Sequence, residues 1–373
     1  MRIVAQFADY LRSCYAPMPV PLLDAACLTR DERLGDAAAA VVLGSGRAQL
    51  LLRGRGLGVS FVGYAPNGGH VTILERGQVT HPCVAPPSFR VAAIVPAFNE
   101  ADVIAGTLQY LVNEGIGVYV IDNWSTDQTP AIVRQFTGRG LLGMERFPAD
   151  HAPGQYDLRG ILARVEEVAS GLDADWLILH DADERRRTPW PGVGLRDGLY
   201  HVERSGFTCI DHVTLNFWAT DDSYDATRDL EAHFSHFEFS DHPGHFHQRR
   251  AWKNLGQRVS LAPTAGHDVG FHGRRVYPFK FLLKHYPIRS AAHGRRKVLQ
   301  ERRARWNPAE RTLGWHQQYE QVQAFIRTSA ELEQFDPQTF YERRLLERLS
   351  GVGIFAEPPD WATPPMWHPP PAA

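Results

Sequence analysis

From about residue 90 the chain alternates short apolar runs with stretches of helical periodicity. The runs at 91–95, 117–121, 141–144 and 176–179 are near-continuous hydrophobics, the pattern of strands buried on both faces. Between them, 102–113 sets Ile104, Leu108 and Leu111 on one helical face. Asp127 and Pro130 mark the start of a second helix carrying Ile132, Val133 and Phe136, and 158–168 gives a third. This alternation predicts βαβ units, and so an α/β fold with a mostly parallel sheet flanked by helices.

Before residue 88 the pattern changes to alternating runs at 49–52, 59–64 and 70–74, the last two joined through Asn67-Gly68, a hairpin signal. Residues 1–88 are therefore expected to form a small β-containing appendage, 89–320 the main α/β domain, and 321–373 C-terminal helices with a tail. Helical periodicity at 319–329 and 339–349 precedes a Pro-rich end from Pro358. Gly44-Ser45-Gly46 and Gly54-Arg55-Gly56 lack the small third residue of a dinucleotide loop, so neither predicts one.

Composition removes several functions. The 373 residues are 43% hydrophobic, and 40 Lys plus Arg against 42 Asp plus Glu leave a net charge of −2. No global field draws the chain to nucleic acid or an anionic membrane, so any basic site must be local. The 4 cysteines show no paired spacing, which fits free thiols in a reducing compartment. There is no long apolar segment and no secretory pattern at the N-terminus, so a cytoplasmic protein is expected, with at most peripheral membrane contact.

The chemistry collects where the strands end. The run at 176–179 stops at His180-Asp181-Ala182-Asp183, and side chains at i and i+2 of an extended segment point the same way. Asp181 and Asp183 can thus converge on one hard cation, in the crevice where open α/β sheets hold ligands. The plain alternative is a solvated turn. Pro96-Ala97-Phe98-Asn99-Glu100 follows the first strand and opens a helix whose N-terminal amides are expected to face an anion. The second strand ends in Asp122-Asn123-Trp124-Ser125-Thr126-Asp127, so three strands deliver polar clusters to one edge.

In order and spacing these motifs resemble the family 2 glycosyltransferases, which have the GT-A nucleotide-sugar fold. Lys284-His285-Tyr286-Pro287-Ile288-Arg289-Ser290, with Gly294-Arg295-Arg296-Lys297 and Gly314-Trp315-His316, is similar to a bacterial branch of that family. The resemblance implies a transferase that moves a sugar from a nucleotide-diphosphate-sugar donor to a glycan or lipid-linked hydroxyl acceptor, with inversion, in bacterial surface glycan biosynthesis. It implies Mn²⁺ or Mg²⁺ as cofactor and no nucleic-acid partner. Carried over by position, Pro96, Ala97, Phe98, Asn99 and Glu100 border the nucleotide, together with Ser125, and Asp122 or Asn123 reaches the base. Asp181 lies near ribose and metal, Asp183 coordinates the metal, and His285 completes that site, with His267 as second candidate. Many relatives carry two adjacent acids where this chain has Asp122-Asn123, which leaves the nucleotide open.

Breaking an anomeric carbon–phosphate bond builds negative charge that cations must answer. Arg289, Arg295, Arg296 and Lys297, with Ser290, form the local cluster for it. A solvated basic helix over 295–311, including Arg302, Arg303 and Arg305, is the plain alternative. For the general base, Asp222 ranks before Asp221 and Asp211, with Glu184 as an outside candidate, although each can be a turn or cap residue. The histidines at 233, 236, 242, 245 and 247 lack regular spacing and a nearby cysteine, which favours a loop or acceptor-site lining over a transition-metal site. Phe217, Trp218, Trp252 and Tyr277 can stack on sugars or fill the core. Other functional classes are a sugar nucleotidyltransferase, which lacks its Gly-rich basic loop here, a non-catalytic nucleotide-sugar-binding protein, and a peripheral membrane module using 295–311.

Overall fold

The computed structural model describes residues 84–150, 154–188, 192–204, 206–239, 248–277, 281–305, 307–312, 315 and 324–336, together with the backbone of five strands between residues 22 and 75. Those five are β1 (Leu22–Asp24), β2 (Ala39–Gly44), β3 (Arg47–Leu52), β4 (Ser60–Tyr64) and β5 (Val71–Glu75), and they form a sheet in chain order. β4 and β5 pair antiparallel from Tyr64 opposite Val71, as the hairpin signal predicts. The Asn67-Gly68 turn itself lies outside the described residues.

The α/β unit starts at β6 (Val91–Ala97) and runs through α1 (Ile104–Asn113), β7 (Gly117–Asp122), α2 (Thr129–Arg134), β8 (Leu141–Arg146), α3 (Leu158–Gly171) and β9 (Trp176–Leu179). β6 pairs in parallel with β7 and β9, and β7 with β8. Alternate residues explain why these strands read as unbroken hydrophobics. Ala93, Val95, Val118, Val120, Trp176 and Ile178 pack into one core with Ile104, Leu108 and Leu111 of α1. Ala92, Ile94, Ile121, Leu177 and Leu179 pack into a second with Leu162, Val165 and Val168 of α3. A sheet covered on both faces needs both sets apolar.

Beyond β9 the chain builds a second sheet against the first. Its elements are β10 (Glu184–Arg187), α4 (Leu195–Arg204), β11 (Cys209–Ile210), β12 (His212–Phe217), α5 (Leu230–His233), β13 (His236–Phe239), β14 (Ala251–Lys253), β15 (Phe281–His285), α6 (Ala291–Gly294) and β16 (Glu333–Gln334). β14 and β11 extend the first sheet, giving the order β11-β14-β9-β6-β7-β8, while the second runs β10-β15-β12-β13-β16. Glu184 of β10 sits opposite His285 of β15, which brings the two ends of the candidate metal site together.

Two C-terminal expectations are corrected. In place of one basic helix over 295–311, the chain forms a π-helical stretch at Arg295–Arg302, a 3₁₀ turn at Arg303–Arg305 and the short α7 (Pro308–Thr312), and it buries Lys297 and Val298. In place of a helix to 329, residues 324–336 carry a 3₁₀ turn at Ser329–Glu331 and the edge strand β16. Phe335 explains the strand: its ring lies 5.5 Å from that of Phe217 and 5.9 Å from that of Phe237, and this aromatic packing outweighs local helical preference. The predicted helix at 339–349 and the tail lie outside the described residues. Cys209 is a free, buried thiol, pushed up to about 12 by burial. Among the described residues no helix is long and apolar enough to cross a membrane.

Candidate active site

The loops after β6 and β7 are laced together. Asn99 and Trp124 adopt left-handed φ values of 56° and 62°, uncommon for residues other than glycine. The Asn99 Oδ1 accepts from the Thr126 amide (2.8 Å), and the Ser125 Oγ accepts from the Asn99 amide (2.9 Å). The amides of Glu100 and Ala101 donate to Thr129 Oγ1 (2.9 Å) and Asp127 Oδ2 (3.1 Å). This corrects the expectation that the amides leading into α1 wait for an anion, because side chains from the β7 loop already satisfy them.

Beside this lacing lies a cavity of about 460 Å³ lined by Asn123, Phe147, Pro148, Gly154, Gln155, Asp157, Ile161 and Asn307. That size is ordinary for a small-ligand site. Asn123 is fixed at both ends, its Nδ2 donating to the Phe147 carbonyl (2.9 Å) and its Oδ1 accepting from Arg305 (3.1 Å). The Arg305 guanidinium lies 4.1 Å from the centre of the Phe98 ring, and that of Arg302 4.5 Å from Tyr156. Asp122 is fully buried; its Oδ1 accepts from the Ser125 amide (3.2 Å). Its Oδ2 has Arg146 Nε at 3.4 Å but accepts no hydrogen bond among the described residues, a cost for a buried carboxylate and an opening for a ligand donor.

At the end of β9 each acid has its own cation. Arg250, just before β14, grips both oxygens of Asp181 at 2.9 Å and also reaches Glu184 at 3.0 Å. Glu184 pairs in turn with the fully buried Arg186 (2.9 Å) and accepts from the Asp181 amide (3.1 Å). Asp183 Oδ2 takes Lys297 Nζ at 2.7 Å, with Arg289 Nη1 at 3.7 Å and His285 Nε2 at 3.8 Å. His285 Nδ1 donates to Asn216 Oδ1 (2.9 Å), which turns the Nε2 edge toward Asp183. Burial pushes both carboxyls up, but the cations win, holding Asp181 at about 2 through Arg250 and Asp183 lower still through Lys297, His285 and Arg289.

A pH dependence follows. Both folded values lie below the ordinary carboxylate value, so these pairs stabilise the fold fully above about pH 4 and lose that contribution as acid protonates them, Asp181 between about pH 4 and pH 2. The Asp181 side chain is 42% exposed, and solvent screening keeps its share to about 1 kcal/mol or less. Urea midpoints across this range should fall on acidification, with a shallower fall in Asp181→Asn; identical slopes would remove the Arg250 pair from the account.

Arg289 anchors a second cluster. It is fully buried and donates to Glu100 Oε2 (2.6 Å) and to Asp102 Oδ2 and Oδ1 (2.7 and 2.9 Å), with His293 Nε2 at 3.0 Å. Glu100, Asp102 and His293 have ligand atoms within 4.8 Å of one another, the spacing of a metal site, but the guanidinium already sits among them. Burial, partly offset by Arg289 and Lys297, raises Glu100. Arg289 is thus placed to hold acids under the site, away from its open face.

The remaining candidates divide. Ser290 caps α6, accepting from the His293 amide (3.0 Å), and Asp222 accepts from the Ala291 amide (2.7 Å) on the same turn. Tyr224 Oη reaches the Asp102 carbonyl (3.3 Å), so the loop carrying Asp222 forms a wall of the site. Asp221 closes an exposed turn with Ser223. Asp211 is buried and accepts from the amides of His212 and Gln248 (2.8 and 2.9 Å), a structural setting. His267 sits on Gln248 (3.0 Å). His233 packs on Tyr224 and Phe234, His236 lies in β13, and 242, 245 and 247 fall outside the described residues. Phe217, Trp252 and Tyr277 are core residues, whereas Trp218 is half-buried, its Nε1 donating to Glu238 (2.8 Å). Arg250 and Asn216 escaped sequence reasoning, since nothing in their local spacing marks a partner so distant in the chain; Arg186 escaped it as well, and Arg305 was read only as part of a solvated helix.

Comparison with known proteins adds the family. No curated protein matches the chain. Among solved structures it is similar to S. aureus TarS 1-349, at 13% identity and TM-score 0.31 over 53% of this chain and 60% of that one. It is similar also to the mannosyltransferase PcManGT from Pyrobaculum calidifontis, solved in complex with GDP-Man and Mn²⁺, at 17% identity and TM-score 0.34 over 59% and 64%. The chain thus spans about three fifths of the length of these proteins. The model of glycosyl transferase family 2 matches residues 92–185, from β6 into β10, the stretch that holds all three strand-end clusters.

Proposed function

We propose that the protein is a metal-dependent glycosyltransferase that moves a sugar from a nucleotide-diphosphate-sugar to a hydroxyl acceptor. The observation that carries this is the pairing, inside the family 2 region and next to it, of a nucleoside-sized cavity at the β7 end with Asp183 facing His285 at the β9 end. Asp183 and His285 present a carboxylate oxygen and an imidazole nitrogen 3.8 Å apart, donor types that Mn²⁺ and Mg²⁺ accept. In this reading Asp183 and His285 would hold the ion, which when bound would neutralise the departing nucleoside diphosphate. Asp181, with both oxygens on Arg250, stays on the crevice side for the ribose instead of ligating.

The other residues follow from their places. Pro96 to Glu100, Asp122, Asn123 and Ser125 border the nucleoside, Asn123 lining the cavity itself. Arg305, stacked on Phe98, fixes the cavity residue Asn123. Asp222, on the wall beside α6, takes the acceptor hydroxyl proton, its carboxylate steadied by the Ala291 amide. Inversion and a bacterial surface glycan as product belong to the same proposal and rest on the resemblance, while a cytoplasmic location rests on composition and the division into an appendage at 1–88, a catalytic domain at 89–320 and a C-terminal region at 321–373 rests on the hydrophobic pattern.

A second reading is a non-catalytic donor-binding protein, favoured by the fact that both acids are already paired with Arg250 and Lys297. Nucleoside diphosphate release from a panel of UDP-, GDP- and dTDP-sugars with Mn²⁺ and simple glycan acceptors separates them. The transferase predicts release that chelation with EDTA stops. Thermal stabilisation by a donor without release supports the second reading, and neither effect overturns both.

A further inference from the structure

We propose that Lys297 and the divalent cation compete for Asp183, so that the cation binds firmly only when a donor diphosphate arrives to receive the lysine. This rests on the donor reading above and concerns how its site is charged.

The Lys297 ammonium lies 2.7 Å from Asp183 Oδ2, the same oxygen that faces His285 at 3.8 Å. An ion held between Asp183 and His285 would share that oxygen with the ammonium. Lys297 is 5% exposed, so water does little to weaken the repulsion between the two positive charges. One of them has to leave, and the lysine is the one that can. It also meets the Pro287 carbonyl at 3.1 Å and Glu100 at 3.9 Å, and it stands on a flexible stem as a point charge, without the two-pronged grip of an arginine. Arg289 and Arg250 are each fixed by a two-pronged grip on a carboxylate.

A diphosphate supplies the missing partner. With the cation alone, a displaced ammonium keeps only Glu100 nearby, an acid already held by Arg289; with cation and diphosphate together, it gains an anion in place of Asp183. π-helical turns inside helices are often found at functional sites, and Lys297 lies on such a stretch, Arg295–Arg302. The same stretch also touches the β6 loop, Arg296 donating to the Asn99 carbonyl (3.2 Å) and Glu301 accepting from Asn99 (2.7 Å), so a shift of Lys297 is tied to the nucleoside side.

Mn²⁺ binding to the full chain, read from the free-ion paramagnetic resonance signal with and without UDP or GDP, tests the exchange. Wild type should bind Mn²⁺ weakly alone and about tenfold or more tightly with the matching nucleoside diphosphate. Lys297→Met should bind Mn²⁺ alone about tenfold more tightly than wild type and lose most of the nucleotide enhancement, while Lys297→Arg, which keeps the charge, stays near wild type. Lys297→Gln gives a second neutral side chain should the methionine variant fold poorly. If the neutral variants bind Mn²⁺ no better than wild type while nucleotide still strengthens wild-type binding, the exchange is overturned and the donor reading stands. If neither nucleotide changes Mn²⁺ binding in wild type, the donor reading falls with it.

Discussion

Arg289→Met is expected to destabilise the protein by about 3–5 kcal/mol, seen as a lower urea midpoint with little change in slope. Arg289 is fully buried and holds Glu100 and Asp102 through three hydrogen bonds of 2.6 to 2.9 Å, with Asp183 a further 3.7 Å away. Methionine fills similar volume but leaves the buried Glu100 and the half-buried Asp102 without their main cation, and Lys297, 3.9 Å from Glu100, is already committed to Asp183. Arg289→Lys should recover only part of the loss, because an ammonium cannot make the two-pronged contact with Asp102. A loss below about 1 kcal/mol in the methionine variant would show that the acids do not depend on Arg289.

The second large effect is chemical. Asp183→Asn should lower turnover by about 10²- to 10³-fold, the scale of losing a preorganised charge opposite a leaving group. The change keeps shape and removes the charge that faces His285 and Lys297. Asp181→Asn should cost less, because Arg250 occupies both its oxygens and the residue faces the sugar side. Initial rates of nucleoside diphosphate release, with melting curves confirming that both variants fold, separate the two acids. Equal losses would mean that both ligate the ion.

Much of the frame was legible because its signal is local. β6 and β9 are buried on both faces and β7 over most of its length, so they appear as apolar runs, as does the half-buried edge strand β8, and Asp181 and Asp183 stand out where one run stops. The short antiparallel partners were not legible. β14 and β11 carry too few residues to show a period, and the pairing of β10 with β15, which brings His285 to Asp183, is a contact between distant segments. Charge was misleading for the same reason. The basic run at 295–311 has the composition of a solvated helix, yet Lys297 is buried because Asp183 takes its charge. Arg250 gave no signal of its own, although it decides what Asp181 can do. The amides leading into α1 looked open to an anion because the side chains that fill them, Ser125, Asp127 and Thr129, come from the next loop.

Calorimetric titration of UDP-, GDP- and dTDP-sugars into the full chain, each with and without Mn²⁺ or Mg²⁺, addresses the central claim directly. The account predicts that at least one sugar nucleotide binds with ion present, that EDTA weakens the binding, and that Asp183→Asn loses the ion's contribution. Binding that is indifferent to ion and to Asp183, or no binding of any of these conjugates, would contradict it.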